Sequence, residues 1–179
     1  GNQIEITTLG ALPVISIIEP SDISSSSFKC GGRITGEGAS AVTERGVCWS
    51  ENSNSSIANS KISSGAGVGE FYVNIDKLIP GRKYFIKAYA VNNHGIAYSS
   101  ELTINTSPEI PQVKTLDIAN VKSTSASGGG EIINDGGAEI SVRGICWSTN
   151  QNPTVTNSKT TDGAGTGTYI SLINGLLPQ

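Results

Sequence analysis

The sequence contains no methionine, a single histidine and three cysteines, and only 15 % of its residues are charged. With no Met, and no charged stretch running into an apolar one at its start, the chain is expected to be a piece cut from a longer protein. The absence of a targeting signal is then uninformative. Any Ser-His-Asp or Cys-His arrangement would have to use His94. Zinc needs three or four nitrogen or sulfur ligands, which one His and scattered Cys do not supply. Cys30, Cys48 and Cys146 form no C-x-x-C pair, and an odd number leaves at least one unpaired within the chain, so they read as small hydrophobes. No apolar run approaches the roughly 18 residues of a membrane span. The net charge of −3 lacks the basic excess of a nucleic-acid binder. Charges this sparse also rule out a charge-driven disordered tail.

Glycine is plentiful, 22 residues, and there are 7 prolines. Both weaken helices and both serve turns. The segment Arg45-Gly46-Val47-Cys48-Trp49-Ser50 returns 98 residues later as Arg143-Gly144-Ile145-Cys146-Trp147-Ser148. At the same offset Gly65-Ala66-Gly67-Val68-Gly69 matches Gly163-Ala164-Gly165-Thr166-Gly167, and Leu78-Ile79-Pro80 matches Leu176-Leu177-Pro178. From Pro13 to Gly81 the copies align without a gap, with about 24 of 69 positions identical. A period this long suits a domain repeated in tandem rather than a solenoid unit. Ile4, Ile6 and Thr8 match Leu102, Ile104 and Thr106. Residues 1–10 are therefore expected to be the last strand of a preceding repeat and 11–108 a complete repeat. Residues 109–179 are expected to be a second repeat lacking its last two strands.

Within one copy the apolar residues alternate with period two, the signature of half-buried strands. Phe28, Cys30, Gly32 and Ile34 share a face. So do Val47 and Trp49, then Phe71, Val73 and Ile75, then Tyr84, Ile86, Ala88 and Ala90, then Leu102 and Ile104. Turn clusters separate them: 35–38, 51–54, 63–67, 80–81 and 92–95. About seven short strands per copy predict an all-β, antiparallel β-sandwich, in which two facing sheets bury both sets of inward residues.

The stretch Leu78-Ile79-Pro80-Gly81-Arg82-Lys83-Tyr84-Phe85-Ile86-Lys87-Ala88-Tyr89-Ala90-Val91-Asn92 resembles the corner before strand F, and strand F itself, of a fibronectin type III module. That resemblance implies an immunoglobulin-like fold and a tyrosine corner formed by Leu78, Pro80, Gly81 and Tyr84. Taken with Arg-Gly-Val-Cys-Trp-Ser and Gly-Ala-Gly-x-Gly, it is similar to the tandem type III-like repeats of large bacterial surface proteins, of the kind common in Bacteroidetes. The sequence departs from the family in two places. The usual strand-B Trp is replaced by Phe28 or Ala126, with the indole moved to strand C. The loop Asn92-Asn93-His94-Gly95 carries no Arg-Gly-Asp. The resemblance implies an exported protein, extracellular or on the outer-membrane surface, that acts as a non-catalytic spacer and interaction module in adhesion. The alternative is a carbohydrate-binding accessory to a secreted glycan-degrading enzyme. Expected partners are a surface protein or glycan and neighbouring repeats, with no nucleic acid.

Individual side chains sort as follows. Trp49 and Trp147, each in phase with an inward aliphatic residue, are expected to fill the sandwich, and Leu78, Pro80 and Tyr84 are structural. Phe85, Lys87 and Tyr89 fall on the opposite face of their strand from Tyr84 and Ile86. With Asn93 and His94 they form a candidate interaction face. Arg45 and Arg143 are expected to pair with a carboxylate at the rim. Glu44, Glu70, Asp76 and Glu101 stand singly, and Glu70 and Asp76 become Thr168 and Asn174 in the other copy. Turn chemistry accounts for the polar runs 51–54 and 134–137 without calcium. No catalytic, cofactor or metal residue is assigned. The linker Ser107-Pro108-Glu109-Ile110-Pro111 is expected to restrict bending, because proline limits backbone freedom. Two expectations stand for the second copy: completion by strands from elsewhere, with residues 2–8 of another chain as a donor, or a repeat cut at a convenient point and partly ordered by contacts with neighbours.

Overall fold

In the computed structural model the chain divides into two compact units, Gly1–Ser107 and Pro108–Gln179. The structure describes residues 10–177, and the strand expected at the start of the chain lies outside them. All regular structure among the described residues is β.

The first unit holds β1 (Val14–Ser21), β2 (Phe28–Gly36), β3 (Glu44–Ser50), β4 (Ser60–Ser63), β5 (Gly69–Ile75), β6 (Lys83–Asn92), β7 (Gly95–Tyr98) and β8 (Leu102–Asn105). One sheet runs β1-β2-β5, and the other runs β4-β3-β6-β7, with β8 also pairing β6. The period-two alternation decides which side chains meet between the sheets. Phe28, Cys30, Ile34, Phe71, Val73 and Ile75 come from the first sheet, and Val47, Tyr84, Ile86, Ala88, Ala90 and Ile104 from the second, in one buried cluster. That is a two-layer antiparallel sandwich. The corner before β6 is tied by Tyr84, whose hydroxyl accepts the Ile79 N–H at 3.0 Å. The Thr106 hydroxyl donates to the Ile79 carbonyl at 2.7 Å. The strand after β6 is broken into β7 and β8 around Ser99, whose N–H donates to the Ala88 carbonyl and whose hydroxyl accepts the Ala88 N–H.

The second unit holds β9 (Gln112–Ala119), β10 (Ser125–Asn134), β11 (Cys146–Trp147), β12 (Ser158–Lys159) and β13 (Gly167–Asn174). Here β9-β10-β13 forms a sheet and β11 pairs β12. The registers follow the first unit at the 98-residue offset. Gly130 faces Tyr169 as Gly32 faces Phe71, and Cys146 faces Lys159 as Cys48 faces Lys61. The difference lies at the edge. Glu44–Ser50 is a seven-residue strand held on one side by β6. The corresponding strand, β11, has two residues and pairs only β12. Val113, Val142 and Val155, 63–71 % exposed, border a groove of about 840 Å³ beside Ile145 and Tyr169.

Candidate functional site

The outer face of β6 is not the open aromatic stripe that alternation predicts. Tyr89 is fully buried. Its register partner on β3 is Gly46. A Cβ at Gly46 would come within 2.8 Å of the Tyr89 hydroxyl, so the missing side chain is what lets the ring lie on the strand. The hydroxyl donates to Glu44 Oε1 at 2.6 Å. Lys61 Nζ stands 3.1 Å from the same oxygen and 5.6 Å from the ring centroid. Bonding from Tyr89 and Lys61 holds the Glu44 carboxyl below its ordinary value. Burial first, then Glu44, pushes Tyr89 up. Lys87 is half-buried, with Nζ 3.6 Å from Glu101 Oε1. Glu101 also accepts the N–H groups of Asn54 at 3.1 Å and Ser55 at 2.8 Å and the Ser55 hydroxyl. Burial alone would raise the Glu101 carboxyl, but these bonds and Lys87 outweigh it and lower it. The β3–β4 connection is thereby drawn onto the face, and Phe85 is left half-buried. Only Asn93 and His94 of the expected set are exposed, and their backbone N–H groups go to Ser40 and Asn92.

Asn92 went unnoticed in the sequence as anything but a turn residue. It is buried, and its amide nitrogen donates to the Ala11 and Glu37 carbonyls at 3.0 and 2.9 Å. It therefore staples two loops to the end of β6. The side-chain type is ordinary for a turn, so no local signal separates the two roles.

Arg45 does not pair with a carboxylate. Its Nε donates to the Ser64 carbonyl at 3.3 Å, and its Nη1 to those of Gly67 and Val68 at 3.1 and 2.7 Å. The guanidinium lies 5.2 Å from the Phe71 ring centroid. Arg143 makes the same set, to Asp162, Gly165 and Thr166 at 3.3, 3.2 and 2.8 Å, over Tyr169 at 5.2 Å. The turn it clamps takes positive φ at Gly65, Gly67 and Gly69 (83°, 80° and 95°) and again at Gly163, Gly165 and Gly167, where glycine is tolerated without strain. A turn in that conformation leaves its carbonyls facing one way, and a planar donor fork satisfies several at once. The available clue was that Arg and the Gly-x-Gly run persist together in both copies.

Trp49 packs against the core but is only half-buried. It floors a cleft of about 760 Å³ with Tyr84 and Leu78 at its back and Asn52, Ser60, Asp76 and Lys77 around it. The indole N–H has no hydrogen-bond partner, yet no buried side-chain nitrogen or oxygen among the described residues lacks one. The N–H edge therefore meets solvent. Trp147 is likewise half-buried. Trp49 meets the core with one part of its ring and leaves another part open, and both indoles are more exposed than strand alternation alone predicts.

The remaining candidates have structural explanations. Asn134 Oδ1 and Asp135 Oδ1 accept the N–H groups of Gly136 and Gly137 at 2.7 and 2.8 Å, closing a turn. Asn52 N–H donates to Ser50 Oγ at 3.1 Å. All three cysteines are free thiols, and burial pushes Cys30 up to about 12, so it is a packed hydrophobe rather than a nucleophile. Among the described residues no group of three or more His, Cys, Asp or Glu is placed to hold a metal.

No protein-family model matches the chain, and no curated protein matches it in sequence. Among solved structures it is similar to a fibronectin type III domain derived from the human KIAA0970 protein, at 18% identity. That likeness covers 55% of this chain and 78% of that one, with a TM-score of 0.37. It is also similar to a two-domain fibronectin type III segment from chicken tenascin, at 14% identity, covering 93% and 84% with a TM-score of 0.44.

Proposed function

We propose that the chain is a non-catalytic extracellular module, a spacer and interaction element of a multidomain bacterial surface protein made of fibronectin type III-like repeats. The observation that carries this reading is the arginine clamp. The bonds of Arg45 recur at Arg143 to within 0.1 Å. What the two units share most faithfully is thus a device that fixes a backbone turn, as a scaffold requires, rather than a converging set of reactive groups. Tyr84 serves a like purpose at the corner before β6, where its hydroxyl accepts the Ile79 N–H. The interaction part falls to the exposed turn of Asn93 and His94, because the β3–β4 connection closes the rest of that face. Antibodies against this chain should label intact cells of the source organism, and external protease should remove the label. Labelling only after the envelope is opened overturns the location. Turnover of glycoside, ester or peptide probes, abolished by a point substitution in the chain, overturns the non-catalytic assignment.

A further inference from the structure

We propose that the cleft floored by Trp49 is a saccharide-binding site selective for neutral sugars. The site goes beyond the module reading, and its failure leaves that reading intact. A pyranose ring carries an apolar C–H face and a rim of hydroxyls. The cleft matches the hydroxyl rim: it offers a half-buried indole whose solvent-facing N–H edge can donate to a hydroxyl, and polar side chains around it. Its volume, about 760 Å³, falls in the range of small-ligand sites, roughly 300–1,000 Å³. The side chains of Asn52, Ser60, Asp76 and Lys77 make no hydrogen bond within the protein, so their donors and acceptors are available to hydroxyls. An amide, a carboxylate and an ammonium together cover both donation and acceptance. Ser50 and Asn59, also in the lining, are already committed, to the N–H groups of Asn52 and Ser56. They hold the two turns that form the walls.

Two further observations favour a ligand over an ordinary surface hollow. The second copy carries Trp147, Ser148, Asn150, Asn157, Ser158 and Asn174 at the positions of Trp49, Ser50, Asn52, Asn59, Ser60 and Asp76. Of these, Ser148 and Asn157 repeat the turn bonds. That leaves Asn52 and Ser60 retained although their side chains make no hydrogen bond within the protein, beside a Trp whose packing against the core accounts for only part of its ring. Lys77 sits at φ 62° where the second copy has Gly175 at φ 74°. A lysine in that conformation costs free energy that glycine would not, and it places a cation at the cleft. Glu51 and Asp76 outnumber Lys77 in the lining, so an acidic sugar would be repelled and a neutral one admitted.

Hexasaccharides of β-1,4-glucose, β-1,4-mannose, β-1,4-N-acetylglucosamine and α-1,4-glucose, with an oligogalacturonate as anionic control, would be titrated calorimetrically into the whole chain. At least one neutral probe should bind with a Kd below about 1 mM, shift indole emission, and outcompete the anionic one. Asn52→Ala should weaken it by about tenfold with the unfolding midpoint unchanged. Lys77→Gly should weaken it while leaving stability equal or higher, a combination that a structural role for Lys77 does not produce. Absence of binding by all four neutral probes overturns the proposal. Binding that survives Asn52→Ala, Asp76→Ala and Lys77→Gly overturns it equally.

Discussion

Tyr89 donates its phenolic hydrogen to Glu44 Oε1 over 2.6 Å from a ring that solvent does not reach. The two groups titrate in opposite directions from their ordinary values, and each direction sets one limb of a stability profile. The Tyr89 bond, then Lys61, lowers the Glu44 carboxyl. Its native-state contribution is present above the unfolded value near 4.5 and is lost as pH falls toward the lower native value. Burial and Glu44 raise Tyr89. That contribution is present below the unfolded value near 10 and fades as pH climbs above it. Urea midpoints followed across pH should therefore fall at both ends, and Glu44→Gln should flatten the acid limb. An acid limb unchanged in Glu44→Gln would show that the carboxylate contributes nothing to it.

The inward faces of the strands were legible in the sequence. Phe28, Cys30 and Ile34 and then Phe71, Val73 and Ile75 alternate without interruption, and alternation is the physical condition for lying between two sheets. Tyr89 was not legible. Its own strand places it outward, and its burial depends on an absent side chain at Gly46, one strand away, and on Lys61, two strands away. Arg45 was misread for a related reason. Its acceptors are main-chain carbonyls of a turn, which no residue type announces. The Trp49 cleft was half legible: the inward phase was visible, but not the solvent-facing N–H edge.

The clamp gives a second prediction. Arg45→Ala strips three carbonyls of charged donors and removes the guanidinium from Phe71, which should cost about 1–3 kcal/mol. Arg45→Lys should recover little of it, since a single ammonium cannot reproduce the fork. Arg143→Ala should act in the same direction on the second unit alone. Chemical unfolding read from Trp49 in a Trp147→Phe background, and from Trp147 in the reverse, separates the two. Equal stability of Arg45→Lys and wild type would refute the fork geometry.

Ile79 is held from both sides, its N–H by the Tyr84 hydroxyl and its carbonyl by the Thr106 hydroxyl. Tyr84→Phe removes one bond and should cost about 1 kcal/mol. Thr106→Val should cost as much or more, because Thr106 also accepts the Arg82 N–H at 2.9 Å. The two changes meet at one residue, so the double variant should depart from additivity by about 0.5 kcal/mol or more. A strictly additive cycle would mean that the corner is not a single unit.

The edge of the second unit yields the last prediction. In the first unit β3 gains seven register partners from β6, Glu44 with Val91 through Ser50 with Phe85. The inward residues of β6 then close the core over Val47. In the second unit Arg143, Gly144 and Cys146 repeat the β3 residues, yet only Cys146–Trp147 is strand. Backbone pairing there is confined to the β12 side. A strand gains stability from partners on both edges and from a covered face. On this reasoning the shortness of β11 is expected to follow from an edge that lacks a second partner among the described residues, rather than from its own residues. Joining a copy of residues 82–107 directly after Gln179 keeps the repeat phase and supplies β6 chemistry to that groove. The second unit should then show slower amide exchange along 142–148, stronger shielding of Trp147 from acrylamide, and a higher unfolding midpoint. Appending the same residues in scrambled order should give none of these. If both versions behave alike, the short β11 reflects the local sequence, and the groove is no strand acceptor.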